Sequence, residues 1–496
     1  LGMGMTCAAC HSQTIRVNGQ KVKIDGGASQ FDIQGFEMGI VKAMEAVLDP
    51  GHADRFTTFV ARIGKNTDHK DESHLKAAME KFLVDFRGWH FQNHRTIDPD
   101  TGADIPYGPG RLDGLGGGTN DAVCNLTDGL GDIGLQSLID NPANCRSSHP
   151  PTSIPYLWGM GKQEFVQWNG QVHQNKAIAR DVGQATASYG KNWITGDGKY
   201  KSTANPRTIY ELEKFYDDLK PPRWEDLVAK GVVEGFKTKA DKDSLIRGRQ
   251  IYLNRCNSCH AVVPEQDKWG FWKIYVGELG ETKTDTTMFE FNKFRMAFVP
   301  EILREPFGLD SDQKEMRAED YRTKFVGGVT LELIEQDTLS AWVLDKGLKL
   351  KRNSPTQAKE GYKARSLEGV IYTAPYLHNG SVATIEELLK PEDERAKTFY
   401  VGCMDYDLKV MGYTCDDSNG VLFDTALYGN GNGGHSGPEY GTGLSATDRT
   451  ALINFLKYLE PSPEGRKVLP ATVIDLRLRR KRELKRWEDF LDRIEL

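Results

Sequence analysis

One pentapeptide pattern occurs twice in this chain, as Cys7-Ala8-Ala9-Cys10-His11 and as Cys256-Asn257-Ser258-Cys259-His260. In C-x-x-C-H the two thiols add across the vinyl groups of a haem, and the adjacent histidine swings under the ring to ligate its iron. A fold that carries this pattern twice has to close around two large, flat, covalently held groups. The reading is therefore two haem c cofactors, with His11 and His260 as iron ligands and Cys7, Cys10, Cys256 and Cys259 as attachment points.

Two other chemistries use part of the pattern. A zinc site needs a second Cys or His pair at short spacing, and a redox dithiol does not need the trailing histidine. The flanks of the second motif agree with haem. Gly248 and Tyr252 lie four apart on one helical face, and Tyr252 lies four before Cys256, as in the opening helix of a cytochrome c.

At 496 residues the chain has room for two to four domains. Its 39% hydrophobic and 27% charged residues are those of a globular protein, and a net charge of -6 predicts no general attraction to nucleic acid. No apolar run approaches the ~20 residues of a membrane span, so no integral membrane segment is expected. Haem c is attached outside the cytoplasmic membrane, so the expected location is periplasmic or secreted, in a bacterium. A leader and an N-terminal helix are expected ahead of Leu1. Four cysteines are left over. In an oxidising compartment the nearest-neighbour pairing is Cys124–Cys145 and Cys403–Cys415, one of three pairings, with free buried thiols as the alternative.

Along the chain, Val17 to Gly27 reads as a β-hairpin turning at Asn18-Gly19. Phe36 to Leu48 and Glu72 to Phe86 read as helices. His69, His74, His90 and His94 read as surface or packing histidines, and the glycine-rich Tyr107 to Asn120 as a loop near the haem. Pro150, Pro151 and Pro155 exclude helix up to Trp158. Ile209, Leu212, Phe215, Tyr216 and Leu219 share the apolar face of a helix that stops at Pro221-Pro222. A second closing helix starts at Ser445-Ala446-Thr447-Asp448 and stops at Pro461. The expected fold is mostly α: two cytochrome c-type domains, 1-235 and 236-470, with a loop-rich insertion at 38-145 in the first. Residues 471-496 are a basic amphipathic tail, either a solvated helix or a docking one.

An iron held by two protein ligands transfers electrons, whereas one with an open sixth position takes O2 or peroxide. His173, His378 and His435 are the histidines to weigh as second ligands. His435 sits in the glycine-dense Gly429 to Thr442 loop, whose backbone can approach a haem closely, and is favoured for the second haem. His378 is the runner-up.

The stretch Gly361 to Val382, which includes Thr373-Ala374-Pro375-Tyr376-Leu377-His378-Asn379-Gly380, resembles the signature of the bacterial diheme cytochrome c peroxidase superfamily. The Tyr362 to Leu367 lead-in, the Gly434-His435 and Tyr440-Gly441-Thr442 loop and Gly110-Arg111-Leu112-Asp113 are more similar to its oxygenase branch, the diheme rubber oxygenases and fatty-acid dioxygenases. This resemblance implies a reactive first haem on His11 and a second haem, held by His260 and His435, that stores electrons. It implies Trp168, in Phe165 to Gly170, as the relay between them; a core tryptophan is the alternative. It implies Val182 and Gln184 as distal-pocket residues, and it implies that Thr373 and Pro375 offer backbone oxygens to a calcium ion. The asparagine that would complete the calcium site is not evident near His149-Pro150. In peroxidases a methionine ligand follows the signature closely, whereas here the next one is Met404.

Three functions follow. One is an oxygenase of an unsaturated lipophilic substrate with O2 as oxidant. The second is a peroxidase that reduces H2O2 with electrons from a redox partner protein. The third is a non-catalytic electron carrier.

Overall fold

The computed structural model describes residues 5–63, 72–124, 144–174, 177–187, 189–195, 198–262, 264–268, 270–335 and 360–459. Helices carry most of the regular structure, and every sheet among the described residues is a pair of strands. The 471-496 tail lies outside the described residues.

The hairpin after the first motif forms as its sequence requires. Ser12–Val17 pairs with Gln20–Asp25 from Val17 opposite Gln20 to Ser12 opposite Asp25. Asn18 and Gly19 both take positive φ, 48° and 78°, which matches the strand twist in a two-residue turn. Alternation sends Ile15, Val17, Val22 and Ile24 inward. Arg16, on the opposite face, pairs with Asp405 at 2.9 Å and so ties the N-terminal hairpin to the far half of the chain.

The second C-x-x-C-H motif is held by a crossing pair of helices. The opening helix Lys239–Arg255 starts at a capping box in which the Thr238 and Asp241 side chains each bond the other's backbone. The closing helix Ala446–Lys457 starts at Ser445, whose hydroxyl accepts from the Asp448 amide at 3.1 Å. They cross at Gly248, where a β-carbon would run into the Ala451 carbonyl oxygen and the Phe455 side chain. One turn later Tyr252 rests on the Phe455 ring at 5.2 Å and donates its hydroxyl to the His260 carbonyl at 2.5 Å. The Gly248 and Tyr252 spacing therefore lets the helices touch and anchors the haem motif to that contact.

The glycine-rich stretch expected to be a loop is in part a helix. Gly114–Cys124 is helical and is buried from Leu115 to Cys124. Asp113 caps it, accepting from the Gly116 amide at 2.6 Å. Glycine costs a helix about 0.5–1 kcal/mol per residue, but the missing side chains let this helix nest among its neighbours, with Ala187 beside Gly118. Packing on all sides outweighs propensity here.

Two apolar cores result. One gathers Ile15, Ile24, Trp158, Tyr252, Tyr372 and Phe455. The other gathers Val123, Val182, Val299, Tyr321 and Phe325. Each draws on residues from both sides of position 235, which lies between the Trp224–Ala229 helix and the opening helix. Both nearest-neighbour cysteine pairs, Cys124–Cys145 and Cys403–Cys415, are disulfides, whereas Cys7, Cys10, Cys256 and Cys259 are not paired.

Candidate functional site

The second C-x-x-C-H motif presents a prepared ligand. His260 donates from Nδ1 to the Arg365 carbonyl at 2.6 Å, which fixes the ring and leaves Nε2 for a metal. Facing it is His435, with ring centres 6.2 Å apart and planes inclined by 25°. A metal–imidazole bond is about 2 Å, and a ring centre lies about 1 Å beyond its nitrogen, so two imidazoles that share one ion stand about 6 Å apart. The observed spacing leaves room for one ion between the two rings.

The loop that presents His435 is held on both sides. Asn379 Nδ2 donates to the Gly429 and Gly431 carbonyls, both at 3.0 Å, and Ser381 donates to Gly431 at 2.9 Å. Arg395 donates to the carbonyls of Asn432 and, at 2.7 Å, Gly434. His435 itself takes φ 61°, with its amide on the Thr282 carbonyl at 2.7 Å. Burial, then the nearby His260, lowers its pKa to about 3, so the ring is neutral and free to ligate. His378 is placed elsewhere: it lies against the Tyr362 ring, centres 4.3 Å apart. His173 is enclosed between Phe165 and Phe271.

The first motif folds as the short helix Cys7–His11. His11 Nδ1 donates to the Pro155 carbonyl at 2.9 Å, again leaving Nε2 free, and burial lowers its pKa to about 4. Cys7, Cys10 and His11 line a cavity of about 620 Å3, together with Trp168, Gln184 and aliphatic side chains that include Leu115, Ile154, Val166, Ile209, Leu212 and Val326. The two distal-pocket candidates separate. Both sit on the Ala177–Ala187 helix, but residues two apart face different ways. Gln184 faces the cavity, and Val182 is wholly buried in the second core.

Trp168 sits on the turn between the strands Phe165–Val166 and Val172–His173, with Gln167 and Gly170 both at positive φ. Its indole donates to the Ser153 carbonyl at 3.0 Å. Beside it lies Arg365, 5.8 Å from the Trp168 ring centre and 3.7 Å from that of Tyr156. Arg365 links the two motifs. Its carbonyl accepts from His260, its Nη2 donates to the Tyr156 carbonyl at 2.5 Å, and the preceding Pro155 carbonyl accepts from His11. One arginine and two adjacent carbonyls thus join the histidines of both motifs.

Arg365 Nε and Nη1 are buried without a hydrogen-bond partner. Lys363, which also lines the cavity, reaches only neutral acceptors, Gln163 Oε1 at 3.0 Å and the Phe165 carbonyl at 3.1 Å. Burial, then Arg365, holds its pKa well below the ordinary lysine value. Buried cations without counter-charges are costly, and haem carries two carboxylates, so these residues fit the group. No local motif assigns either residue a role. The signal was there, as two cations spaced by one residue inside the Gly361 to Val382 signature.

The two residues expected to offer backbone oxygens to calcium lie on one turn. Thr373 and Pro375 stand on either side of Ala374, whose peptide bond to Pro375 is cis, and Thr373 Oγ1 donates to the Val370 carbonyl at 2.9 Å. The neighbouring carbonyls of Tyr372 and Ala374 accept from the amides of Gln13 and Gln30.

Of the histidines expected at the surface or in packing, His90 and His94 take the packing alternative. Both are buried and converge on Glu37. His69 lies outside the described residues.

The fold and the two motifs define a haem-based oxidoreductase of the c type, with covalent haem c as its cofactor. Comparison with known proteins agrees: the family model described as RoxA-like, cytochrome c-like matches residues 361–400. That match supports the diheme cytochrome c oxygenase/peroxidase-like superfamily. The chain is similar to the uncharacterized protein y4iJ of Sinorhizobium fredii, 29% identical over 92% of this chain and 77% of that one. It is also similar to y4iM of the same organism, 26% identical over 63% of each chain. No helix among the described residues is long and apolar enough to cross a membrane.

Proposed function

We propose that this chain is a periplasmic or secreted diheme oxidoreductase that oxygenates an unsaturated, lipophilic substrate beside His11. The observation that carries this reading is the cavity wall. It is largely aliphatic, its polar groups are hydroxyls, amides, His94 and cations, and among the described residues no aspartate or glutamate lines it. A peroxidase would use a carboxylate there as acid and base toward peroxide. Covalent haem supplies oxidant chemistry at the His11 iron and electron storage at the His260–His435 iron.

The protein's own residues do the rest. His11 and His260 are oriented by backbone carbonyls, so each offers one nitrogen in one direction. Trp168 puts an oxidisable ring beside the arginine that joins the two histidines. Leu115, Ile154, Val166 and Val326 exclude water and favour an apolar chain, and Gln184 can hydrogen-bond a polar oxygen on the same wall.

The test is oxygen uptake by the diheme protein with an unsaturated fatty acid or a polyisoprene, with products identified by mass spectrometry. The expected result is uptake matched by oxygenated product. Inertness toward alkenes with rapid H2O2 turnover in the presence of a donor protein would replace this reading with a peroxidase. If CO binds to neither iron, the protein is an electron carrier.

A further inference from the structure

We propose that Glu37, His90 and His94 form a third metal site, distinct from both haem irons, for a divalent transition ion. His90 lies in the Glu72–Asn93 helix, and His94 follows one turn later, its amide bonded to the His90 carbonyl at 2.8 Å. That spacing turns both imidazoles to one side. There the Ile33–Leu48 helix presents Glu37. His90 Nδ1 lies 2.6 Å from Glu37 Oε2, and His94 Nδ1 lies 2.8 Å from both carboxylate oxygens. The three donor atoms all lie within 4.8 Å of one another.

Two histidines and a carboxylate on one face form a donor set that takes Fe(II), Mn(II), Co(II) or Zn(II) and leaves positions open. Bonds of about 2.1 Å put neighbouring donors about 3 Å apart, so an ion enters if these side chains part by a few tenths of an ångström. The charge argues the same way. The Glu37 side chain is fully buried, and its described partners are the two histidines and the Tyr189 hydroxyl at 2.6 Å, with no lysine or arginine among them. A divalent ion would displace the imidazole protons that face that carboxylate and take their place as its counter-charge.

The surroundings are shaped to hold the ligands. Trp89 meets His94 edge-on at 4.8 Å and stacks on Tyr189 at 4.7 Å. His94 and Tyr189 also line the cavity beside His11, which provides a route for the ion and places it against the substrate space. Such a metal would order one end of that space without any bond to haem.

The test uses the full diheme chain, treated with a chelator and then titrated with Co(II). The expected result is one cobalt bound per chain beyond the two haem irons, with ligand-field bands in the visible spectrum. Glu37→Gln and His90→Ala should abolish both and leave the Soret bands unchanged. If wild type binds no cobalt, the three residues are a hydrogen-bonded network only and the proposal fails. It fails equally if cobalt binds and both variants, folded by circular dichroism, bind as well. Should the variants not fold, the ligands of the bound cobalt decide: magnetic coupling to two histidine nitrogens supports the proposal, and coupling to one or none overturns it. None of these readouts depends on turnover, so oxygenase activity and the metal site stand or fall separately.

Discussion

His260 and His435 face each other with ring centres 6.2 Å apart, although one follows the opening helix and the other lies in a glycine loop just ahead of the closing helix. The two rings enclose the space of one metal ion. His260 is oriented by the Arg365 carbonyl, and the His435 loop by Asn379 and Arg395.

Removing the second ring should open that iron. In His435→Ala the low-spin signature of the second haem should be lost in electron paramagnetic resonance, and CO should bind one more iron per chain. An unchanged spectrum would assign the second ligand to another residue.

Trp168 is the oxidisable ring beside the arginine that joins both histidines. Trp168→Phe keeps an aromatic ring but loses the Ser153 hydrogen bond and the readily oxidised indole. Electron transfer between the haems, followed by flash photolysis of the CO adduct, should slow by roughly tenfold or more, equivalent to about 1.4 kcal/mol in the barrier. The absorption spectra of both haems should stay as in wild type. A rate that does not change would make Trp168 a packing residue.

Gly248 allows the opening and closing helices to touch. Gly248→Ala introduces overpacking against the Ala451 backbone, which cannot move without shifting its helix. Stability should fall by about 1–3 kcal/mol, measured by denaturant unfolding. An equivalent loss is not expected for Gly327→Ala, whose β-carbon would meet no atom within 4 Å.

Lys457 ends the closing helix between the rings of Trp224 and Phe236, 4.9 and 5.7 Å from their centres. Burial lowers its pKa from 10.5 to about 8. Between those two values the unfolded chain holds more of the proton than the folded one, so this group adds stability as pH rises from 8 to 10.5. Its charged form is a burden at pH 7. Lys457→Met should therefore stabilise the protein at pH 7 by on the order of 1 kcal/mol, allowing for its remaining solvent contact and its cation–π contacts. The advantage should disappear by pH 10.5, as followed by paired unfolding curves.

Much of the architecture was legible in the residues because it obeys local rules. The Asn18-Gly19 turn, the caps at Thr238 and Ser445 and the Gly248 and Tyr252 spacing each act within a few residues. The Gly114–Cys124 helix was not legible, since clustered glycines favour loops and only burial on all sides reverses that preference. Val182 and Gln184 could be narrowed to one segment, but which of them faces the cavity depends on where the helix is docked. His90 and His94 looked like ordinary histidines because their partner, Glu37, comes from a separate helix.

By itself the sequence determined the haem chemistry, because C-x-x-C-H places two thiols and an imidazole within five residues of one another. It also favoured His435 through the glycines around it. Only the tertiary structure decided how the two motifs are joined. Pro155, Tyr156 and Arg365 meet through hydrogen bonds between segments far apart in the chain. No local preference encodes such a contact; it exists only once both cores have closed and brought those backbones together.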